Sequence, residues 1–268
     1  MLWQPRLTTQ FLVTPIVAEP INTDAWISII ATVDVVVEAL GGNDLKTVSP
    51  KILHAVALAA ARMRPPGAPK IAYIYTSGTW VHGDSRTDIV TDTTPITSPI
   101  PTVAYIPPIE QAVISETALH GIVIRASVVY GYSGSILGMM FARAVDGKVS
   151  WFGTPGARMA AVHADDLADL YLRAAEKVPL VAGVIFDGTN EVSESVDDVL
   201  RRLVEITGAS GPPEYIVPSN GFEAACAASS IIRPYLGRTL LGWRQRKPSI
   251  LDNLVVYYNA WKASIGDS

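Results

Sequence analysis

Thr76, Ser77 and Thr79 bracket Gly78 at the point where the apolar run Tyr73–Tyr75 ends. Hydroxyls and a glycine at the carboxyl end of a buried strand line ligand crevices in α/β sheets, where they bond a substrate or cofactor oxygen. The alternative is that such hydroxyls bond only to nearby backbone. Trp80 and His82 follow at once, and His82 can carry a proton near neutral pH or simply wall the cleft. Arg125 ends another apolar run, where a guanidinium grips an anion or ties down a carbonyl or carboxylate. His163, Asp165 and Asp166 look like a catalytic cluster, but their place before "LADLYLRAA" assigns the aspartates to capping and charging a helix terminus. Cys226 lies in the alanine-rich "FEAACAASS" without an adjacent base and reads as a buried small residue. The four histidines, His54, His82, His120 and His163, have no metal-ligand spacing, so no metal site is expected.

These residues must be held by an alternation of strands and helices. "TPIVAEP" reads as a short strand and "NTDAWISIIA" as a helix capped by Asn22 or Thr23. "VDVVVEALGG" is a continuous apolar strand, the pattern of one covered on both faces. A buried helix begins at Ser49 with Pro50 in its first position. "KIAYIYTSG" and "HGIVIRASVVYG" are further strands, separated by a loop from Asp84 to Pro108 and the helix "IEQAVISETAL". "ILGMMFARAVDGK" is helical, "VSWFGTPGARMAAVHADD" holds short extended pieces, and "DDLADLYLRAAEKV" is an amphipathic helix. "GVIFDGTN" is a strand, and "SVDDVLRRLVEITG" is a helix with Ser195 and Asp198 as a capping box and Gly208 at its end. The tail from Phe222 reads as mostly helical. The pattern predicts an α/β fold with a mainly parallel sheet, ligands binding beyond its carboxyl edge.

Bulk composition excludes several classes. The 268 residues are 49% hydrophobic and 17% charged, enough to bury a large core and unlike a disordered chain. A net charge of −4 without basic runs argues against nucleic acid as a partner. No run reads as a membrane span, because the most apolar one carries Asp34 and Glu38. The start "MLWQPRLTTQFLVTP" makes a poor signal peptide, and one cysteine gives no internal disulfide. A cytoplasmic protein is expected.

In order, "DVVVEALGG", "YIYTSGTWVHG", "GIVIRASVVYG", "AAVHADDLADLYLRAAEK" and "GVIFDGTNEVSESVDDVLRRLVEITG" resemble the extended short-chain dehydrogenase/reductase family of the NAD-dependent epimerase/dehydratase type. The resemblance runs from about Pro15 to the carboxyl end, and "LGWRQRKPSILDNL" looks like that family's small substrate portion. It implies one NAD(P)-binding Rossmann-like domain over 1–268, with a mostly helical substrate portion at approximately 209–268. It implies NAD or NADP as cofactor, held by Glu19, Ala39, Leu40, Gly41, Tyr75 and Thr76. Substrate contacts would come from His82, Trp80, Arg125 and Tyr130, and catalytic ones from Tyr105, Thr79 and Ser77. The ligand would be a small carbonyl or hydroxyl metabolite, and a homodimer is an expectation.

Two departures qualify that expectation. The family's glycine-rich turn, G-x-x-G-x-x-G, which brings the pyrophosphate to a helix amino terminus, has no counterpart here. "TPIVAEP" aligns with the family's third strand, ending at Glu19, so the first two βα units are missing, each about 30 residues as a βαβ-sized piece. Two buried strands would then have open edges, to be paired with each other, covered by a partner, or completed by upstream sequence. The family's Tyr-x-x-x-Lys pair also falls on Tyr105 and Ile109, with Pro107 and Pro108 breaking the helix start. Gly78 occupies the usual orienting hydroxyl's position. A tyrosine without its lysine keeps a pKa near ~10. The second reading is therefore a cofactor-independent pseudoenzyme, a ligand-binding protein, or a non-redox isomerase or cyclase using Tyr105, His82 or Thr79.

Overall fold

The computed structural model describes residues 13–42 and 44–266. Residues 1–12, most of the stretch read as a poor signal peptide, lie outside the described residues. The strands are β1 (Val35–Glu38), β2 (Ala72–Gly78), β3 (Ile89–Val90), β4 (His120–Ala126), β5 (Val128–Tyr130), β6 (Ser150–Phe152), β7 (Arg158–Met159), β8 (Ala161–His163), β9 (Ile185–Gly188), β10 (Glu194–Ser195), β11 (Glu214–Ile216) and β12 (Ile231–Ile232). The helices are α1 (Leu45–Met63), α2 (Ile106–Ser115), α3 (Gly138–Val145), α4 (Ala164–Glu176), α5 (Val178–Val181), α6 (Val196–Thr207), α7 (Gly221–Ala227) and α8 (Leu254–Gly266).

The central sheet has the order β1-β2-β4-β9, with every pairing parallel. Side chains alternate across it. Tyr73, Tyr75 and Val123 pack towards α1 and α2, and Ile74, Ile122 and Ile124 towards Leu170 and Ala174 of α4. Covering on both faces explains why β2 and β4 read as unbroken apolar runs. Burial of each of these isoleucines contributes roughly 1.5–3 kcal/mol.

A second core joins α3, α6 and α8 through Tyr130, Phe141, Trp151, Leu200 and Trp261. It draws on residues well before 209. The tail is less helical than expected: β11 pairs with β6, β12 pairs with β3, and a π-helical turn spans Gly237–Leu241. Backbone pairing with strands far upstream stitches the tail into the body.

The amino-terminal expectations need correction. "TPIVAEP" forms no strand. Pro15 and Pro20 cannot donate to a ladder, and Val17 is 85% exposed; the segment's bonds are local ones, Glu19 O from the Asn22 amide and Pro20 O from the Trp26 indole, which do not hold it extended. "NTDAWISIIA" forms two 3-10 turns, Thr23–Ala25 and Ile27–Ala31, the second packed against α1. β1 is therefore the sheet's edge, with no partner strand on its outer side among the described residues, and Val37 is 48% exposed. Of the two strands expected to have unpaired edges, only β1 forms.

Further boundaries moved. α1 starts a turn earlier than Ser49, which is buried inside the helix beside Pro50. Pro107 and Pro108 do not break α2; they sit in its first turn, where the missing N–H groups have no intrahelical partner to lose. "HGIVIRASVVYG" splits into β4 and β5, because the Ser127 amide turns to Gly188 O while β5 pairs with β8. Half of the α6 capping box forms: Ser195 Oγ accepts from the Asp198 amide, while the Asp198 carboxylate is bonded by Arg201; left-handed Gly208 closes the helix as expected.

Candidate functional site

A cavity of about 280 Å³ opens at the carboxyl ends of β2 and β4. β2 contributes Gly78 and the turn after it Thr79 and Trp80; the β4–β5 junction contributes Ala126 to Val129; a following loop contributes Gly134 to Ile136. The 3-10 turn Thr79–His82 directs Thr79 and Trp80 into it. Gly83 closes that turn with φ +85°, and a Cβ there would lie 2.3 Å from Ser98 O. The loop is pinned by Ser135, whose Oγ donates to Val129 O at 2.6 Å and accepts from the Leu137 amide at 3.1 Å.

A second cavity, about 440 Å³, lies between the amino-terminal segment and the head of α1. Glu19, Leu40, Gly41, Gly42 and Asp44 line it. Ala39 lines an adjoining groove along β1, with Val36, Val37 and Ile52. Glu19, Leu40 and Gly41 are thus brought together as cofactor candidates, with Ala39 beside them. Tyr75 and Thr76 are not: Tyr75 is buried beneath α1 and α2, and the Thr76 hydroxyl bonds Tyr171 Oη at 2.6 Å.

Ser77 and Thr79 part company. Ser77 faces α2, and its Oγ donates to Glu110 Oε1 at 2.5 Å. Arg125 binds the same carboxylate, Nε to Oε1 at 2.9 Å and Nη2 to Oε2 at 2.7 Å. Arg125 Nη1 lies 3.8 Å from Asp187 Oδ1, and Asp187 is bonded by His82 Nε2 at 2.9 and 3.0 Å. The Asp187 amide in turn donates to Asp92. Burial opposes the Arg125 charge, but the bonds and charges of Glu110, Asp187 and Asp92 outweigh it and raise its pKa.

His82 therefore does not wall the cleft as expected; its side chain is 1% exposed and held by Asp187. Arg125 ties down a carboxylate, the bland alternative, although it also borders a third cavity of about 450 Å³ with Asp92, Pro107 and Glu110. Tyr130 is buried below the cavity, donating to Pro248 O at 2.8 Å and accepting from Asn190 Nδ2 at 2.9 Å. Tyr105 heads α2, packed in the same apolar cluster as Trp80, and burial raises its pKa. Ile109, in the position of the pair's lysine, is buried in that core. His163, not an aspartate, caps α4: its Nδ1 accepts the Asp165 amide at 3.1 Å. Asp166 instead accepts the Arg246 and Lys247 amides, anchoring the tail.

Sequence reasoning missed Glu110, Asp187 and Asp92. Glu110 could have been flagged as a lone acid on the apolar face formed by Ile106, Ile109 and Val113, and Asp187 as an acid at the end of a buried strand. Among the described residues no group of three or more His, Cys, Asp and Glu is placed to hold a metal ion. No helix there is long and apolar enough to cross a membrane.

The parallel four-stranded sheet, helices on both faces and a cleft at its carboxyl edge define a Rossmann-like α/β protein, similar in fold to solved structures of epimerases and dehydratases. Among solved structures it is similar to a dTDP-glucose 4,6-dehydratase from Bacillus anthracis in complex with NAD, with TM-score 0.76 and 16% identity over 93% of this chain and 79% of the other. A human epimerase family protein solved with NADPH gives TM-score 0.69 and 18% identity, over 87% of this chain and 86% of the other. A UDP-glucuronic acid 4-epimerase from Bacillus cereus, in complex with UDP-glucuronic acid and NAD, gives 0.70 and 17%, over 92% and 81%. No family profile matches the sequence, and no curated protein matches it.

Proposed function

We propose that this chain is a nicotinamide-nucleotide-dependent oxidoreductase of the epimerase/dehydratase type, acting on a small carbonyl or hydroxyl compound. The observation that carries the proposal is a pair of cavities on the carboxyl side of a sheet whose fold is shared with structures holding NAD or NADPH.

The residues present fit a nucleotide in part. Gly41 and Gly42 offer bare backbone, since a Cβ on either would meet nothing within 4 Å. Asp44 caps α1 without a side-chain bond; the Thr47 and Val48 amides bond back to its carbonyl, leaving the Leu45 and Lys46 N–H groups at the helix start to a polar ligand. Glu19 suits ribose hydroxyls; among the described residues Asp44 is a second carboxylate lining the cavity and no lysine or arginine does, so the pyrophosphate would rest on backbone N–H groups at the helix start and the more highly charged NADP is disfavoured. When bound, the nicotinamide would carry the hydride. Thr79 would hydrogen-bond the substrate oxygen. Tyr105 heads α2 and does not line the 280 Å³ cavity, so its side chain takes no part in proton transfer there.

Titrating the purified chain with NADH and following nicotinamide fluorescence tests this. Saturable binding is expected; no binding at high micromolar concentration sinks the redox reading. Buried Ile109, where a lysine would activate the tyrosine, favours the second reading, a binding protein without redox chemistry, and the same titration separates the two. The open edge of β1, with Val37 exposed, supports association of two copies through that edge. Val37→Lys would then shift light-scattering mass from dimer to monomer. A cytoplasmic setting is proposed because the single thiol, Cys226, is buried and unpaired.

A further inference from the structure

Resting on the reading of the 280 Å³ cavity as the substrate site, we infer that its substrate is an uncharged, largely apolar molecule with a single oxygen function, not a nucleotide-linked or otherwise anionic sugar. Among the described residues, none of the side chains lining the cavity is ionisable. Trp80, Val128, Val129 and Ile136 form most of the wall. Three hydroxyls reach it, and two are committed: Ser127 Oγ donates to Gly188 O at 3.1 Å and Ser135 Oγ to Val129 O at 2.6 Å. Thr79 alone keeps a hydroxyl without a partner among the described residues, one hydrogen bond's worth of recognition.

The deeper wall continues the pattern. Behind Thr79, Trp80 and Ile136 lies a nearly filled pocket of about 10 Å³ bounded by Trp151, Met159, Cys226 and Ala228. With Ser230 the one hydroxyl added there, these mostly apolar surfaces back the cavity and leave no room for a ligand group of their own. The Arg125 guanidinium at the end of β4 does not compensate, because it does not line this cavity: its Nε and Nη2 are bonded to Glu110, and only the buried Nη1 lacks a hydrogen bond. A diphosphate or carboxylate entering this cavity would lose its water without gaining a counter-charge, which such groups do not tolerate. An aliphatic or aromatic ketone loses little and gains Thr79.

The test is calorimetric titration of the full chain with three probes: 4-phenylbutan-2-one, 3-phenylpropanoate and UDP-glucose. The ketone should bind saturably and at least about tenfold tighter than the carboxylate, and UDP-glucose should not compete with it. Thr79→Val should weaken the ketone about three- to tenfold and leave butylbenzene, which lacks the oxygen, unchanged. Ile136→Arg should reverse the ketone–carboxylate preference. Equal or tighter binding of the carboxylate or UDP-glucose, or no saturable binding of the ketone, overturns the inference. A parallel NADH titration keeps the two proposals apart. NADH binding with UDP-glucose displacing the ketone defeats the substrate class alone; selective ketone binding without NADH binding defeats the redox reading alone.

Discussion

Arg125→Met should cost stability and leave ligand binding intact. Glu110 and Arg125 are 1% and 3% exposed, and three bonds of 2.5, 2.9 and 2.7 Å converge on the Glu110 carboxylate from Ser77 and Arg125. Removing Arg125 takes away two of the three and leaves a buried carboxylate with one hydroxyl donor. Breaking one partner out of a buried pair costs about 3–5 kcal/mol. At about 2–4 °C per kcal/mol for a chain of this size, the melting temperature should fall by roughly 6–20 °C. Replacing both, Glu110→Leu with Arg125→Met, removes the stranded charge and should recover most of the loss, a coupling of roughly 2–3 kcal/mol between the sites. Urea and thermal unfolding followed by circular dichroism read both quantities, and the NADH and ketone titrations read function. If Arg125→Met costs under about 1 kcal/mol yet weakens either ligand more than about tenfold, the guanidinium is a ligand grip and the ion-pair reasoning fails.

Other outcomes follow from the same geometry. Gly131→Ala should cost about 3 kcal/mol in urea unfolding, because Gly131 has φ +113° and an added Cβ would lie 2.3 Å from His163 Nε2; a neutral result would refute the strain. Glu38 is buried against Tyr73, whose hydroxyl donates to it, and desolvation raises its pKa above 4.5. The folded state then holds a proton that the unfolded state releases, so stability falls as pH rises from about 4.5 through the raised value. Urea midpoints of Glu38→Gln minus wild type should therefore grow between pH 4.5 and 8, and a constant difference would reject the shift. NADH should bind at least about tenfold tighter than NADPH, and Glu19→Gln should narrow the gap; fluorescence titration showing equal affinities removes Glu19 from the nucleotide site.

Local signals in the sequence were enough for the strands that are buried on both faces and for the helix capped at both ends. Runs such as Tyr73–Tyr75 and Ile122–Ile124 have few other stable uses, and Ser195 with Gly208 brackets α6 through contacts a few residues apart. The small and hydroxyl residues at the end of β2 pointed to Gly78–Trp80, where the structure has a cavity. What sequence could not decide was the partner of each polar group in it. Ser77 and Thr79 are equivalent as residue types, yet one is drawn under α2 by Glu110 and the other is left facing the cavity. His82 and Arg125 looked like ligand groups because their partners, Asp187 and Glu110, come from different elements of the chain. Whether a strand such as β1 is central or at an edge depends on what lies beside it, which its own side chains do not encode. Periodicity and capping act over a few residues and are written locally; charge pairing and sheet position are settled only when distant segments exclude water together.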